Sequence, residues 1–150
     1  MSLKKFALVA ALSAFAAPAF AAECSTVLEA NDAMQYNKKV IEISKSCKDF
    51  TVELKHVGKM PKAAMGHNFV LVKKADAKGV ALDGGKAGPA KDYIPEGDAR
   101  IIAHTKMIGG GESDKVTFEV SKLDPATEYQ YFCTFPGHQA IMIGDIKLVD

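Results

Sequence analysis

The segment Cys133-Thr134-Phe135-Pro136-Gly137-His138-Gln139-Ala140-Ile141-Met142 places a thiol, an imidazole and a thioether within ten residues. Pro136 fixes φ and Gly137 admits positive φ, so Phe135-Pro136-Gly137 reads as a tight loop. Such a loop folds the chain back and lets Cys133, His138 and Met142 face one point. One thiolate, imidazole nitrogen and a weak thioether suit copper that cycles between cuprous and cupric states. The set needs a second imidazole, and Met65-Gly66-His67-Asn68 offers one at the start of an apolar run. His67, Cys133 and His138 then make a trigonal His₂Cys set, with Met142 as a long axial ligand. Each residue also has a plainer reading. Cys133 fits a buried core cysteine, His138 a surface-loop histidine, His67 a strand-end histidine, and Met142, between Ile141 and Ile143, a core side chain.

Strands must position these groups. Phe50, Val52, Leu54 and His56 alternate with polar residues and share one strand face. His67 to Val72 reads as a second strand, apolar on both faces after Asn68. Val116 to Val120 alternates again and ends at the Asp124-Pro125 turn. Tyr129, Tyr131 and Cys133 share a face on the strand entering the loop, and Gly144 to Val149 is a last strand. Val40–Ile43 and Arg100–His104 are shorter candidates. Many short strands between Gly, Pro and Asp turns predict an antiparallel sandwich or barrel. Residues 74–99 break the pattern, and propensity places one short helix there, around Asp76–Leu82. His56 lies on an apolar strand face. It reads either as a satisfied core histidine or as a slow proton-linked switch. His104, in a polar stretch, is expected to be exposed.

At 150 residues the chain is long enough for one domain with a sizeable core. Residues 1–21 read as a secretory signal peptide. Lys4-Lys5 is the basic start, Phe6 to Ala17 is apolar, and Ala19-Phe20-Ala21 is a small-x-small cleavage site. The stretch is too short and wrongly flanked to span a membrane. It carries two lysines and no acid, so its removal takes the formal charge from +1 to −1. A near-neutral chain does not suggest nucleic acid or an anionic membrane as partner.

The Cys-Thr-Phe-Pro-Gly-His-x-x-x-Met and Gly-His-Asn segments resemble those of azurins, blue copper proteins of the cupredoxin group. The likeness runs from about residue 22 onward. It includes Ala22-Glu23-Cys24-Ser25, Lys45-Ser46-Cys47-Lys48 and Ile102-Ala103-His104-Thr105-Lys106. It implies an all-β cupredoxin-like fold over residues 22–150, an eight-strand Greek-key β-sandwich or barrel with a short helical flap insertion. It makes axial ligation by Met142 the expected role and adds the Gly66 carbonyl as a weak donor opposite. It implies backbone N–H donors to the Cys133 sulfur from Asn68 and Phe135. The Asn68 side chain, otherwise a plain turn residue, is expected to tie to the loop near Thr134.

Cys24 and Cys47 have no ligand residues nearby and sit beside turn-forming residues, so they are expected to form a disulfide. Cys133 is left over for the metal. Export and a disulfide agree on an oxidising compartment, here the periplasm. The expected function is a one-electron shuttle with one copper. His138 is the electron port, rimmed by Met34, Met65, Phe135, Pro136 and Ala140. Its partners are redox proteins such as c-type cytochromes and periplasmic reductases or dehydrogenases, met by a monomer in transient complexes. Two other classes stay open: a copper oxidoreductase domain of nitrite-reductase type, and a thiol hydrolase using Cys133, His138 and Asn68. One departure from the family pattern is the absence of Trp, with Phe69 at the position where a buried Trp is often found. A second is Gly84-Gly85 in the flap, where apolar side chains often border the docking face.

Overall fold

The computed structural model describes residues 22–150; the signal-peptide reading of residues 1–21 lies outside the described residues. Two sheets face each other across one core. The first has the order β2 (Gln35–Tyr36), β1 (Ser25–Asn31), β4 (Asp49–His56), β7 (Ser113–Glu119). The second has the order β3 (Val40–Ser44), β9 (Ile143–Val149), β8 (Tyr129–Phe132), β5 (Val70–Lys73), β6 (Ile101–His104). Two pairs are parallel, β1 with β4 and β3 with β9; the others are antiparallel. Nine strands are therefore present among the described residues, eight without the two-residue β2.

β4 buries Phe50, Val52, Leu54 and His56 and turns the intervening residues outward, as its period-2 pattern requires. Those side chains meet Leu71, Tyr131 and Ile146 from the other sheet. The apolar run 69–72 is explained by two covered faces. Phe69 and Leu71 enter the main core, while Val70 and Val72 pack with Phe132 under the flap helix α2 (Ala77–Ala87). That helix runs five residues past the expected Leu82. Val80 is its fully buried anchor.

The structure corrects the strand expected over His67 to Val72. The ladder proper begins at Val70. Before it, the Phe69 N–H turns to the Thr105 hydroxyl (2.9 Å), and His67 keeps only an isolated pairing with Ile108. This local departure from the sheet frees Gly66-His67-Asn68 to reach toward Cys133. β1 has only Leu28 and Ala30 fully buried and carries little periodicity of its own. Register with β4, from Ser25 opposite Thr51 to Ala30 opposite His56, holds it in place.

Cys24 and Cys47 are joined, with Cα atoms 5.6 Å apart. The bridge ties the start of β1 to the turn before β4 and closes a loop of 23 residues in sequence separation. Constraint of the unfolded chain by a loop of that size is worth about 3 kcal/mol. Replacing both cysteines by alanine should lower the unfolding free energy by about that amount and leave the visible spectrum of the copper-loaded protein unchanged. Denaturant titration of both forms, read by circular dichroism, measures it. A loss below about 0.5 kcal/mol would show that the bridge does not constrain the unfolded chain in this way.

Candidate metal centre

Cys133 follows the last residue of β8, and His67 lies shortly before the first residue of the antiparallel β5. The two segments therefore emerge at the same end of the sandwich. The loop after Cys133 is closed at both ends. The Cys133 N–H donates to the Met142 carbonyl (3.1 Å), and the Met142 N–H donates to the His138 carbonyl (2.7 Å). Within it, the His138 N–H donates to the Phe135 carbonyl (3.0 Å), a four-residue turn with Pro136 second and Gly137 third. Gly137 has φ +83°, the conformation that only glycine adopts without strain at this position. On the other segment, Gly66 is needed for close approach. A Cβ there would lie 2.7 Å from the Lys62 carbonyl oxygen and 2.9 Å from Met107 Sδ. Lys62 belongs to α1 (Lys62–Met65).

Three donors converge. Cys133 Sγ lies 3.6 Å from His138 Nδ1 and 4.0 Å from His67 Nδ1, and all three atoms fall within 4.8 Å of one another. The Gly66 carbonyl oxygen is 3.8 Å from the same sulfur. Cys133, His67 and Met142 are fully buried. Met142 sits in the same core cluster as Cys133.

The charge state of each donor follows from its surroundings. Burial pulls the His67 pKa down to about 4, so the ring is neutral at neutral pH. Its Nε2 lies 2.9 Å from the Asn31 carbonyl; with Nε2 donating there, the Nδ1 lone pair is left toward the cluster. Burial also lowers the His138 pKa. Burial pushes the Cys133 thiol up to about 12, against the backbone N–H groups of Asn68 and Phe135, which point at the sulfur and pull it down. Two N–H donors aimed at a neutral thiol are poorly used; a metal-bound thiolate uses both. The donor set, one thiolate and two neutral imidazoles in a dry pocket, fits a soft, redox-active metal.

The Asn68 side chain bonds the loop at Thr134. Its Oδ1 accepts from the Thr134 N–H (2.9 Å), and its Nδ2 donates to Thr134 Oγ1 (2.7 Å). Three participants escaped sequence reasoning: Asn31, which orients His67 through a backbone carbonyl; Thr105, which caps Phe69; and Asp92, whose carbonyl accepts from Asn68 Nδ2 (3.3 Å). Backbone carbonyls leave no mark in side-chain patterns. The Asn31 turn is likewise a property of the folded backbone, with Met34 at φ +56°, a conformation that a methionine does not announce.

The loop itself is exposed at Pro136, Gly137 and Ala140, while His138 is turned inward and only 2 % exposed, with the Phe135 ring packed against its own at 4.5 Å between centroids. Its Nε2 has no protein partner, while no buried polar side-chain atom among the described residues is left unpaired, so Nε2 is the edge that reaches the surface. Of the rim residues, Met34, Met65 and Phe135 are half-buried, and Pro136 and Ala140 are exposed. His56 is fully buried with both ring nitrogens partnered, Nε2 by the Met65 carbonyl (2.9 Å) and Nδ1 by the Gly58 N–H (3.1 Å). His104 is exposed. Neither histidine is placed to build a second metal site with the first. The Cys133 sulfur is fully buried, so a substrate carbonyl has no approach to it as a hydrolytic nucleophile would need.

A two-sheet sandwich carrying a buried His₂Cys cluster at one end defines the cupredoxin class of blue copper protein. The family model for copper binding proteins of the plastocyanin/azurin family matches residues 22–149. The azurin of Achromobacter denitrificans is 62 % identical over 146 residues, covering 97 % of this chain and 98 % of that one. The azurin of Pseudomonas aeruginosa is 53 % identical over 146 residues, covering 97 % and 99 %. Among solved structures, the azurin Az-iso2 of Methylomonas sp. strain J superposes with a TM-score of 0.83 at 45 % identity, covering 86 % of this chain and all of that one. The chain belongs to the plastocyanin/azurin family, and its function is that of a blue copper electron-transfer protein.

Proposed function

We propose that His67 and His138, through Nδ1, and Cys133, through its thiolate, would hold one copper ion, with Met142 and the Gly66 carbonyl as weaker donors. The convergence of the three donor atoms within 4.8 Å carries this reading. Copper bound there supplies a single electron, taken up and given back between the cuprous and cupric states. The protein's part is to keep the donors still. Asn68 and Phe135 aim their N–H groups at the sulfur, and Asn31 fixes the His67 ring. The Asn68–Thr134 bonds lock the two ligand segments together. Donors held this rigidly move little when the charge changes, so the reorganisation that slows electron transfer is small.

His138 is the port, through the Nε2 edge, in a rim of Met34, Met65, Phe135, Pro136 and Ala140. A small apolar rim suits encounters that must dissociate quickly. The partners are redox proteins such as c-type cytochromes and periplasmic reductases or dehydrogenases. The protein works as a monomeric carrier rather than an enzyme, in the periplasm, reached through the signal peptide of residues 1–21. Among the described residues, no helix is long and apolar enough to cross a membrane.

The ligand assignment is tested at its weakest member. Met142→Leu should retain copper and colour and raise the reduction potential, because an apolar axial side disfavours the cupric state. Metal analysis, the visible spectrum and voltammetry read this directly. A variant that no longer binds copper would make Met142 a principal ligand; an unchanged potential would remove it from the set.

A further inference from the structure

In the flap, Asp92 (φ +52°) and Tyr93 (φ +56°) are consecutive left-handed residues, neither of them glycine. Such backbone is strained and persists only where surrounding contacts over-determine it. Two contacts stay inside the flap, where the Asp92 N–H donates to the Pro89 carbonyl (3.1 Å) and the Tyr93 N–H to the Gly88 carbonyl (3.0 Å); the side chains and the Asp92 carbonyl turn to the metal site. The Asp92 carbonyl accepts from Asn68 Nδ2 (3.3 Å), the one Asn68 amide bond that does not go to Thr134. The Asp92 carboxylate accepts from the Met107 N–H (3.2 Å) and faces Lys62 Nζ at 3.6 Å. Met107 precedes Ile108, whose backbone pairs with His67 in both directions. The Tyr93 ring packs edge-on against Phe135, with centroids 5.5 Å apart. The pair therefore braces both residues whose N–H groups point at the Cys133 sulfur, and the backbone that holds His67. Helix α2 seats on it directly: a Cβ on Gly84 would lie 2.4 Å from the Tyr93 carbonyl oxygen and 3.5 Å from Thr134 Cβ. This closeness accounts for a glycine inside a helix, at the Gly84-Gly85 pair that departs from the family pattern.

We propose that Asp92 is a positioning residue of the copper site, a latch through which the flap sets the Asn68 amide and so the hydrogen bonding of the Cys133 sulfur. The latch acts through its left-handed backbone more than through its charge. The carbonyl satisfies the second Asn68 N–H, so the amide cannot flip, and Oδ1 stays on the Thr134 N–H. With the latch open, the Asn68 backbone N–H is free to swing from the sulfur. A thiolate with fewer hydrogen bonds donates more strongly to copper and favours the cupric state, which lowers the potential. The inference rests on the ligand set proposed above.

Three substitutions separate backbone from side chain. Asp92→Asn tolerates the left-handed conformation and retains an acceptor for Met107. Asp92→Gly retains the conformation and loses the acceptor. Asp92→Val disfavours the conformation. In the copper-loaded protein, Asn should match the parent. Gly should keep the potential but speed amide exchange at Met107. Val should lower the potential and speed exchange of the Thr134 amide about tenfold, the loss expected when one buried hydrogen bond opens. Voltammetry and NMR hydrogen exchange on the reduced, diamagnetic protein give both readouts. Should the valine variant not fold, Gly84→Ala, which displaces the Tyr93 carbonyl, is judged by the same potential and Thr134 exchange. Parent-like values in the folded valine variant, or in Gly84→Ala in its place, overturn the latch. So does a glycine variant that shifts as far as valine. A wrong ligand set shows differently, as a parent protein without copper–thiolate absorption.

Discussion

In the Cys133→Ser variant the intense visible absorption of the copper-loaded protein is expected to vanish completely. The absorption comes from charge transfer between a thiolate and copper, and Cys133 is the free cysteine of a chain whose other two are bridged. No second thiolate can take its place. Serine has nearly the same shape, so packing around the fully buried position changes little. The backbone bond from residue 133 to the Met142 carbonyl is kept, and with it the closure of the loop. The fold should therefore survive while colour is lost, which a thermal melt and a visible spectrum on one sample establish together. Serine oxygen is a harder donor than sulfur, so cuprous affinity should fall more than cupric. A persistent blue band would sink the assignment of Cys133 as the thiolate ligand.

The second large effect concerns the rate at which two copies exchange electrons. Met65 lies half-buried at the end of α1, two residues before His67. If two molecules meet rim to rim with their His138 edges close, Met65→Lys brings two like charges into a desolvated contact. Like charges so placed cost several kcal/mol, enough to slow self-exchange by about a hundredfold. Because residue 65 supplies no proposed ligand atom, the spectrum should hardly change. Met65→Gln, of similar length and uncharged, should exchange nearly as fast as the parent. Added salt should recover part of the loss in the lysine variant, since screening shortens to about 3 Å at 1 M ionic strength. NMR line broadening of mixed oxidation states measures the rate. Exchange as fast as the parent's at low salt would mean that electrons leave by another face, and His138 would lose its role as port.

The parts of the site that were legible in the sequence are those that chemistry names by residue type and short spacing. Cys133, His138 and Met142 stand within one loop whose Pro and Gly announce its turn, and the loop closes as that turn requires. His67 was found because Gly66 and an apolar run framed it. The alternation of β4 and the covered run 69–72 were visible because burial imposes a period on side chains. β1 is not visible there: its main pairing, with β4, is parallel and long-range, and its two fully buried residues make no pattern. Propensity stops α2 short, near Leu82, because Gly84 and Gly85 count against a helix, whereas close packing on Tyr93 requires a glycine at position 84.

Residue identity and short spacing name the donor types, hence the metal chemistry, and the odd cysteine left free for it. How those donors are tuned depends on contacts made in the folded chain. His67 is turned by the carbonyl of Asn31, Asn68 is held by the carbonyl of Asp92, and the Cys133 sulfur is faced by two backbone N–H groups. His138 is sealed to its last edge by the ring of Phe135. Every residue carries the same backbone donor and acceptor, so their aim is invisible until the chain has folded. Side-chain chemistry is local and can be read in one dimension. Orientation and burial are properties of contacts between segments distant in the chain, such as Gly66 and Cys133, 67 residues apart, and exist only in three dimensions.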